Sequence, residues 1–145
     1  MSIVTDDAAV RDILAGARTV AILGAHPDPR RAGFYVPAYL QGQGYRVLPV
    51  NPGLTGTLLW GEPVVATLAD LTEPVDIVDV FRRRAHLVAH VPELLAMAPR
   101  PRVVWFQLGI WDHAVAEVLA DQGFDVVQDR CTLADHKHLG VGPVR

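Results

Sequence analysis

Apolar residues fall along this chain in short unbroken runs, separated by longer stretches where they recur every three or four positions. The runs have the pattern of strands buried on both faces, and the longer stretches that of helices with one buried side. Val10, Ile13 and Leu14, flanked by Ala9 and Ala17, predict a helix over 6–16 with Thr5 or Asp6 as its cap. Thr19 to Gly24 reads as a buried strand, followed by a loop of turn formers from His26 to Gly33. A helix from about Ala32 to Gln43 ends where Gly44 can take the left-handed capping conformation. Tyr45 to Val50 is a second strand, stopped by Asn51-Pro52-Gly53.

The middle of the chain is less regular. Residues 54–60 read as a turn or irregular excursion, Pro63 to Val65 as a brief strand, and Thr67 to Asp70 as a helical turn. Regularity returns with a strand over 76–81, a helix over 85–97 and a strand over 102–108. A helix over 112–122, with Asp112 as N-cap, and a strand over 124–127 complete the pattern before the tail. Strands alternating with helices imply right-handed crossovers and a parallel sheet. The fold class is therefore α/β: a Rossmann-like, doubly wound parallel sheet in a single three-layer domain spanning 1–145, with its core at about 5–140.

Composition narrows the function classes. The chain of 145 residues is 50% hydrophobic and 20% charged, with one cysteine. No disulfide framework is available, no apolar run reaches the ~20 residues of a membrane span, and no export signal opens the chain. These features point to the cytoplasm. A net charge of −3 gives no field for nucleic acid. Twelve of the thirteen basic residues are nonetheless arginine, clustered at Arg30-Arg31 and Arg82-Arg83-Arg84. Such runs are often only solvated faces, but two groups on an acidic protein suit a small anionic ligand.

In an open α/β sheet, ligands bind beyond the carboxyl ends of the strands, where the strand order reverses. That rule selects Gly24 to Gly33, Asn51-Pro52, Phe81-Arg82-Arg83 and Gln107-Leu108-Gly109, so both arginine clusters fall on the predicted rim. A glycine directly after the strand lets backbone approach a ligand, and the helix that follows offers unpaired N–H groups to a phosphate. Its dipole adds about 0.3–1 kcal/mol. A charge-assisted arginine bond adds roughly 1.5–3 kcal/mol, whereas micromolar binding needs about −8 kcal/mol. Stacking and apolar contacts must therefore contribute the rest. A nicotinamide dinucleotide fits poorly: Gly24 and Gly33 do not form G-x-G-x-x-G, and the second strand ends in Val50-Asn51-Pro52 without a carboxylate for the ribose. An arginine-rich loop without an acid at that position favours a more phosphorylated ligand such as 3′-phosphorylated ADP.

The segments Ala21 to Gly24, Arg31 to Leu40, Gly44 to Pro52, Val75 to Arg82, Val104 to Gly109 and Val126 to Cys131 resemble the stand-alone CoA-binding-domain family. That family is similar to the nucleotide-binding domain of the succinyl-CoA synthetase alpha subunit. Pro-Val-Asn-Pro at 49–52, Asp-Ile-Val-Asp-Val-Phe-Arg at 76–82 and Asp-Arg-Cys at 129–131 carry the likeness most specifically. One departure is Ala25-His26, where the family often has a serine or similar small residue.

The resemblance implies that coenzyme A lays its phosphates along Gly24, Ala25, Arg30, Arg31 and the helix start, with His26 in the same loop. Asn51 and Pro52 would border the adenosine, Phe81 and Arg82 the nucleotide or upper pantetheine, and Gln107 and Gly109 the pantetheine arm. The implied role is binding coenzyme A or an acyl-CoA, without catalysis, as a sensor, carrier or regulatory module. The phosphohistidine chemistry of the synthetases belongs to another domain and is not expected here. The rival readings are an NAD(P)-binding oxidoreductase or redox sensor, and an interaction subunit that has lost its ligand. Partners consistent with the leading reading are coenzyme A itself, a second copy of the chain or an acyl-CoA enzyme.

Other reactive residues offer less. Ser2, the lone serine, rules out a serine triad. Cys131 is expected as a packed, inert thiol, and Asp135, His136 and His138 lack convincing further metal ligands. Asp79, embedded in an apolar strand, requires a structural partner, an arginine or backbone N–H groups.

Overall fold

The longer apolar runs form the elements their periods dictate. The computed structural model describes residues 2–145. It begins with β1 (Ile3–Val4), α1 (Asp7–Gly16), β2 (Thr19–Leu23), α2 (Ala32–Gly42) and β3 (Arg46–Val50). Two short strands, β4 (Leu58–Leu59) and β5 (Glu62–Pro63), make an antiparallel hairpin outside the main sheet. Then follow β6 (Ile77–Val80), α3 (Leu87–Ala96), β7 (Val103–Phe106), α4 (His113–Asp121), β8 (Asp125–Val127) and α5 (Thr132–His138).

Six strands form one parallel sheet in the order β1-β8-β7-β6-β2-β3. Successive residues face opposite sides of a strand, and both sides here are buried. Val20, Ile22, Ile77 and Trp105 pack with Val10, Ile13 and Leu14 of α1 and Leu40 of α2. Ala21, Leu23, Val78, Val80 and Phe106 pack with Leu87 and Leu94 of α3 and Leu119 of α4. This is the doubly wound, Rossmann-like architecture the alternation predicts. Local signals are honoured at the helix starts: Asp6 accepts from the Ala9 amide at 3.1 Å, and Asp112 from the Val115 amide at 3.1 Å.

Three elements go beyond the sequence reading, one of them β4, which lies where a turn or irregular excursion was expected. β1 adds an edge strand beside β8, and the tail folds into α5, which packs on α1 and α2. The brief strand expected at 63–65 is displaced: residues 62–63 pair in the hairpin, while Val65 makes a parallel bridge to Val50.

Candidate functional site

The chain leaves β2 for β3 on one side and returns to β6 on the other, so strand order reverses at the end of β2. Three strands converge there. The Gly24 amide donates to the Val50 carbonyl at 3.0 Å, and the Phe81 amide to the Leu23 carbonyl at 2.8 Å. Gly24 has φ +91°, and a Cβ at that position would lie 2.9 Å from the Phe81 carbonyl oxygen. Only glycine allows β2 to turn away this close to β6.

The loop from 24 to 31 is pinned to α2 by a consequence of Pro37. Proline has no N–H to give the Gly33 carbonyl, four residues earlier. That carbonyl instead accepts the His26 amide at 3.2 Å. Gly33 permits the contact, because a Cβ there would meet the Gly24 carbonyl oxygen at 3.0 Å. Ala25 is fully buried, and its carbonyl accepts the Asn51 side-chain amide at 2.8 Å. Asn51 Oδ1 accepts the Gly53 amide at 2.8 Å, so this side chain clasps the loops after β2 and β3 together. His26 Nδ1 accepts the Asp28 amide at 3.0 Å.

The arginines differ in their freedom. Arg30 grips Asp28 through Nε at 3.1 Å and a terminal nitrogen at 2.9 Å, although its side chain is 88% exposed. The pair holds the Asp28 carboxyl below, and the Arg30 guanidinium above, their ordinary values. Arg31 is the N-cap of α2 but contributes no side-chain capping bond, and it is exposed. Its helix presents first-turn N–H groups that have no acceptor within the helix.

Beside Gly24 lies a cleft of about 180 Å³, bordered by Asn51, Pro52, Thr67, Arg82, His90 and Glu93. Arg82 Nε donates to His90 Nε2 at 3.3 Å, and His90 Nδ1 bonds Glu93. Since Nε2 accepts, the ring proton lies on Nδ1, facing the carboxylate. His90 and Glu93 thus hold Arg82 at the cleft, a supporting pair the sequence reading missed. Their spacing of three within a helix was the available signal.

Phe81 is half-buried at the rim beside Gly24. Gly109 sits on the next turn with φ +83°, its amide donating to Asp129 Oδ1 at 2.6 Å. Gln107 faces inward. Its amide donates to Asp79 Oδ1 at 2.7 Å and to Thr132 Oγ1 at 2.9 Å, and Thr132 donates to Asp79 Oδ2 at 2.9 Å. Asp79 therefore has its structural partners, but they are an amide and a hydroxyl, not an arginine or backbone groups. Burial pushes the Asp79 carboxyl up to about 7, against the opposing effect of both hydrogen bonds.

Cys131 is half-buried. His136 uses both ring nitrogens, Nδ1 with the Tyr39 hydroxyl at 2.7 Å and Nε2 with the Gly142 carbonyl at 2.8 Å. Burial lowers its pKa. Asp135 pairs with Arg130 at 2.7 Å. Of the residues considered for a metal, Asp135 and His136 are thus engaged in separate contacts, and His138 is exposed.

Farther along the rim a larger cavity, about 450 Å³, opens among β1 and the turns after β7 and β8, where Trp111 and His113 stand. No contiguous segment announces it, because its walls come from three distant parts of the chain.

A model of the CoA binding domain family matches residues 18–137. An uncharacterized Bacillus subtilis protein, YneT, is 32% identical over 130 residues, which cover 89% of this chain and 93% of the relative. Among solved structures, cell-free ID.343 from Thermus thermophilus is 51% identical with a TM-score of 0.88, covering 93% of this chain and 99% of that one. A hypothetical protein from Pyrococcus horikoshii OT3 is 27% identical with a TM-score of 0.84, covering 93% and 92%.

Proposed function

The chain belongs to the CoA binding domain family, and from that premise we propose that it holds coenzyme A or an acyl-CoA, without catalysis, as a cytoplasmic sensor, carrier or regulatory module. The observation that carries this reading is the convergence at the strand-order reversal. A side-chain-free approach at Gly24 and the Arg82 guanidinium border one crevice, and the loop that leaves Gly24 leads to Arg31 at the start of α2. Amide donors and a helix start suit pyrophosphate oxygens, and guanidinium groups suit phosphate dianions. Pro52 and Thr67 give the cleft walls for an adenosine.

Absence of catalysis is supported by how two of the histidines, His90 and His136, are occupied. His90 Nε2 holds Arg82, and His136 has a partner on each nitrogen. A base whose lone pair is committed to an arginine does not activate a nucleophile.

Titration calorimetry with coenzyme A, dephospho-coenzyme A and NADH tests the reading. Coenzyme A binds most tightly, the dephospho form more weakly through loss of the 3′-phosphate, and NADH gives no heat. Preference for NADH would favour an oxidoreductase; no heat with any of the three would remove the ligand site altogether.

A further inference from the structure

We infer that the cavity at the β8–β1 end of the rim receives the acyl group of a short-chain acyl-CoA, making the thioester, not the free thiol, the preferred ligand. The inference rests on the coenzyme A reading above and specifies its substrate class.

The cavity has the character of a small-ligand site. Its volume of about 450 Å³ falls in the usual range of roughly 300–1,000 Å³. Ile3, Val4 and Trp111 give it apolar walls, with His113 and Gln128 at its polar side. Trp111 is 38% exposed. An indole held open toward a cavity invites an apolar occupant. It is also held in place: the Arg84 guanidinium carbon lies 3.8 Å from its ring centroid, and the His113 ring packs at 5.3 Å. The wall is therefore preorganised.

Charge argues for a neutral, apolar guest. Arg130, the cation lining this cavity, is already bound to Asp135 at 2.7 Å, to Asp7 at 2.7 Å and to the Thr5 carbonyl at 3.2 Å. The neighbouring Asp129 carboxylate would repel an acyl chain ending in a carboxylate.

Position supplies the link to the nucleotide end. β2 and β8 are separated by β6 and β7, hence by three strand spacings, or about 14 Å. A pantetheine arm has about the backbone length of four extended residues, roughly 13–14 Å. A cofactor with its pyrophosphate at Gly24 thus brings its sulfur to the end of β8. The 81–84 loop borders both ends, with Arg82 on the cleft and Arg84 on Trp111. Gly109 lies on the turn between them, and nothing lies within 4 Å of where its Cβ would be, so the rim is open there.

Calorimetry with coenzyme A and butyryl-CoA on the wild type, Trp111→Ala and Trp111→Phe tests this. In the wild type, butyryl-CoA binds about tenfold more tightly than coenzyme A, as expected for partial burial of a short alkyl chain. Trp111→Ala brings the two ligands within about twofold of each other, while Trp111→Phe keeps most of the preference. Equal wild-type affinities, or a preference that survives Trp111→Ala, would overturn the acyl site alone. Failure of both ligands to bind the wild type would instead overturn the coenzyme A reading.

Discussion

Around the ends of β2, β3 and β6 the solvent-facing groups are a glycine at φ +91°, the open start of α2 and the exposed Arg31, whereas around β8 and β1 they are an indole, aliphatic side chains and an arginine already enclosed by carboxylates. Arg130 is 22% exposed, and Asp135 first, then Asp7, hold its guanidinium above its ordinary range. Arg31 is not enclosed in this way: its side chain makes no capping bond, and the Asp28 carboxylate it acts on through space is bonded to Arg30. Both ends occupy the same edge of the same sheet, so topology alone does not decide which ligand chemistry each accepts. What decides it is whether the local cations are already paired. An unpaired guanidinium beside bare amides can take up phosphate, while a paired one leaves its cavity effectively apolar.

The Gln107–Asp79–Thr132 network lies beneath the turn that joins the two ends, and breaking it gives the largest expected effect. Asp79 has a folded-state pKa of about 7, against about 3.9 in an unfolded chain. Its protonated form is therefore the one the fold prefers. The associated stability is full below about pH 4 and is lost as pH rises toward about 7, a change on the order of 4 kcal/mol at most. His136 works in the opposite direction. Its lowered pKa favours the neutral ring, so its contribution is lost as pH falls below about 6.5. Denaturant unfolding of the wild type and Asp79→Asn across this window separates the two, because the His136 contribution cancels in the difference. The wild-type advantage shrinks steadily from acid to neutral pH; a difference independent of pH would show that Asp79 is ionised throughout.

Gly24→Ala comes next and strikes only the phosphate end. The added Cβ meets the Phe81 carbonyl oxygen at 2.9 Å, in a backbone region that residues with side chains rarely adopt. Strain of this kind costs about 1–3 kcal/mol. Unfolding should register that loss, and coenzyme A affinity should fall by at least about tenfold as the turn opens. Retention of both would mean that the rim around Gly24 is looser than its contacts indicate.

How far these two ends could be read from sequence follows from how each is assembled. The end around β2, β3 and β6 was legible because Gly24, Asn51-Pro52 and Phe81-Arg82 each follow a strong strand directly, with Arg30-Arg31 just before α2 in the first of these loops, and parallel topology carries such positions to one edge. The β8–β1 end was not. β1 has two residues, too few for any period, and α5 is a polar seven-residue helix whose sequence from Thr132 to His138 shows no apolar stripe. Gln107 was placed on the correct rim, yet whether its side chain points outward or inward depends on Thr132, which arrives with that unforeseen helix.

The smallest effect distinguishes neighbours within the phosphate end. Arg30 is bound in two places to Asp28, whereas Arg31 makes no capping bond with its side chain. A phosphate recruiting Arg30 must first displace a carboxylate bonded to two of its nitrogens, whereas Arg31 acts on that carboxylate only through space. Arg31→Ala should therefore weaken coenzyme A severalfold, and Arg30→Ala by less, with both losses fading as added salt screens these exposed charges. Asp28→Ala sharpens the contrast by freeing Arg30: coenzyme A should then bind more tightly than to the wild type, and the subsequent loss of Arg30 should matter as much as that of Arg31. Equal losses for the two single arginine variants, measured by calorimetry at low salt, would mean that the Asp28 pairing does not govern which guanidinium is available to the ligand.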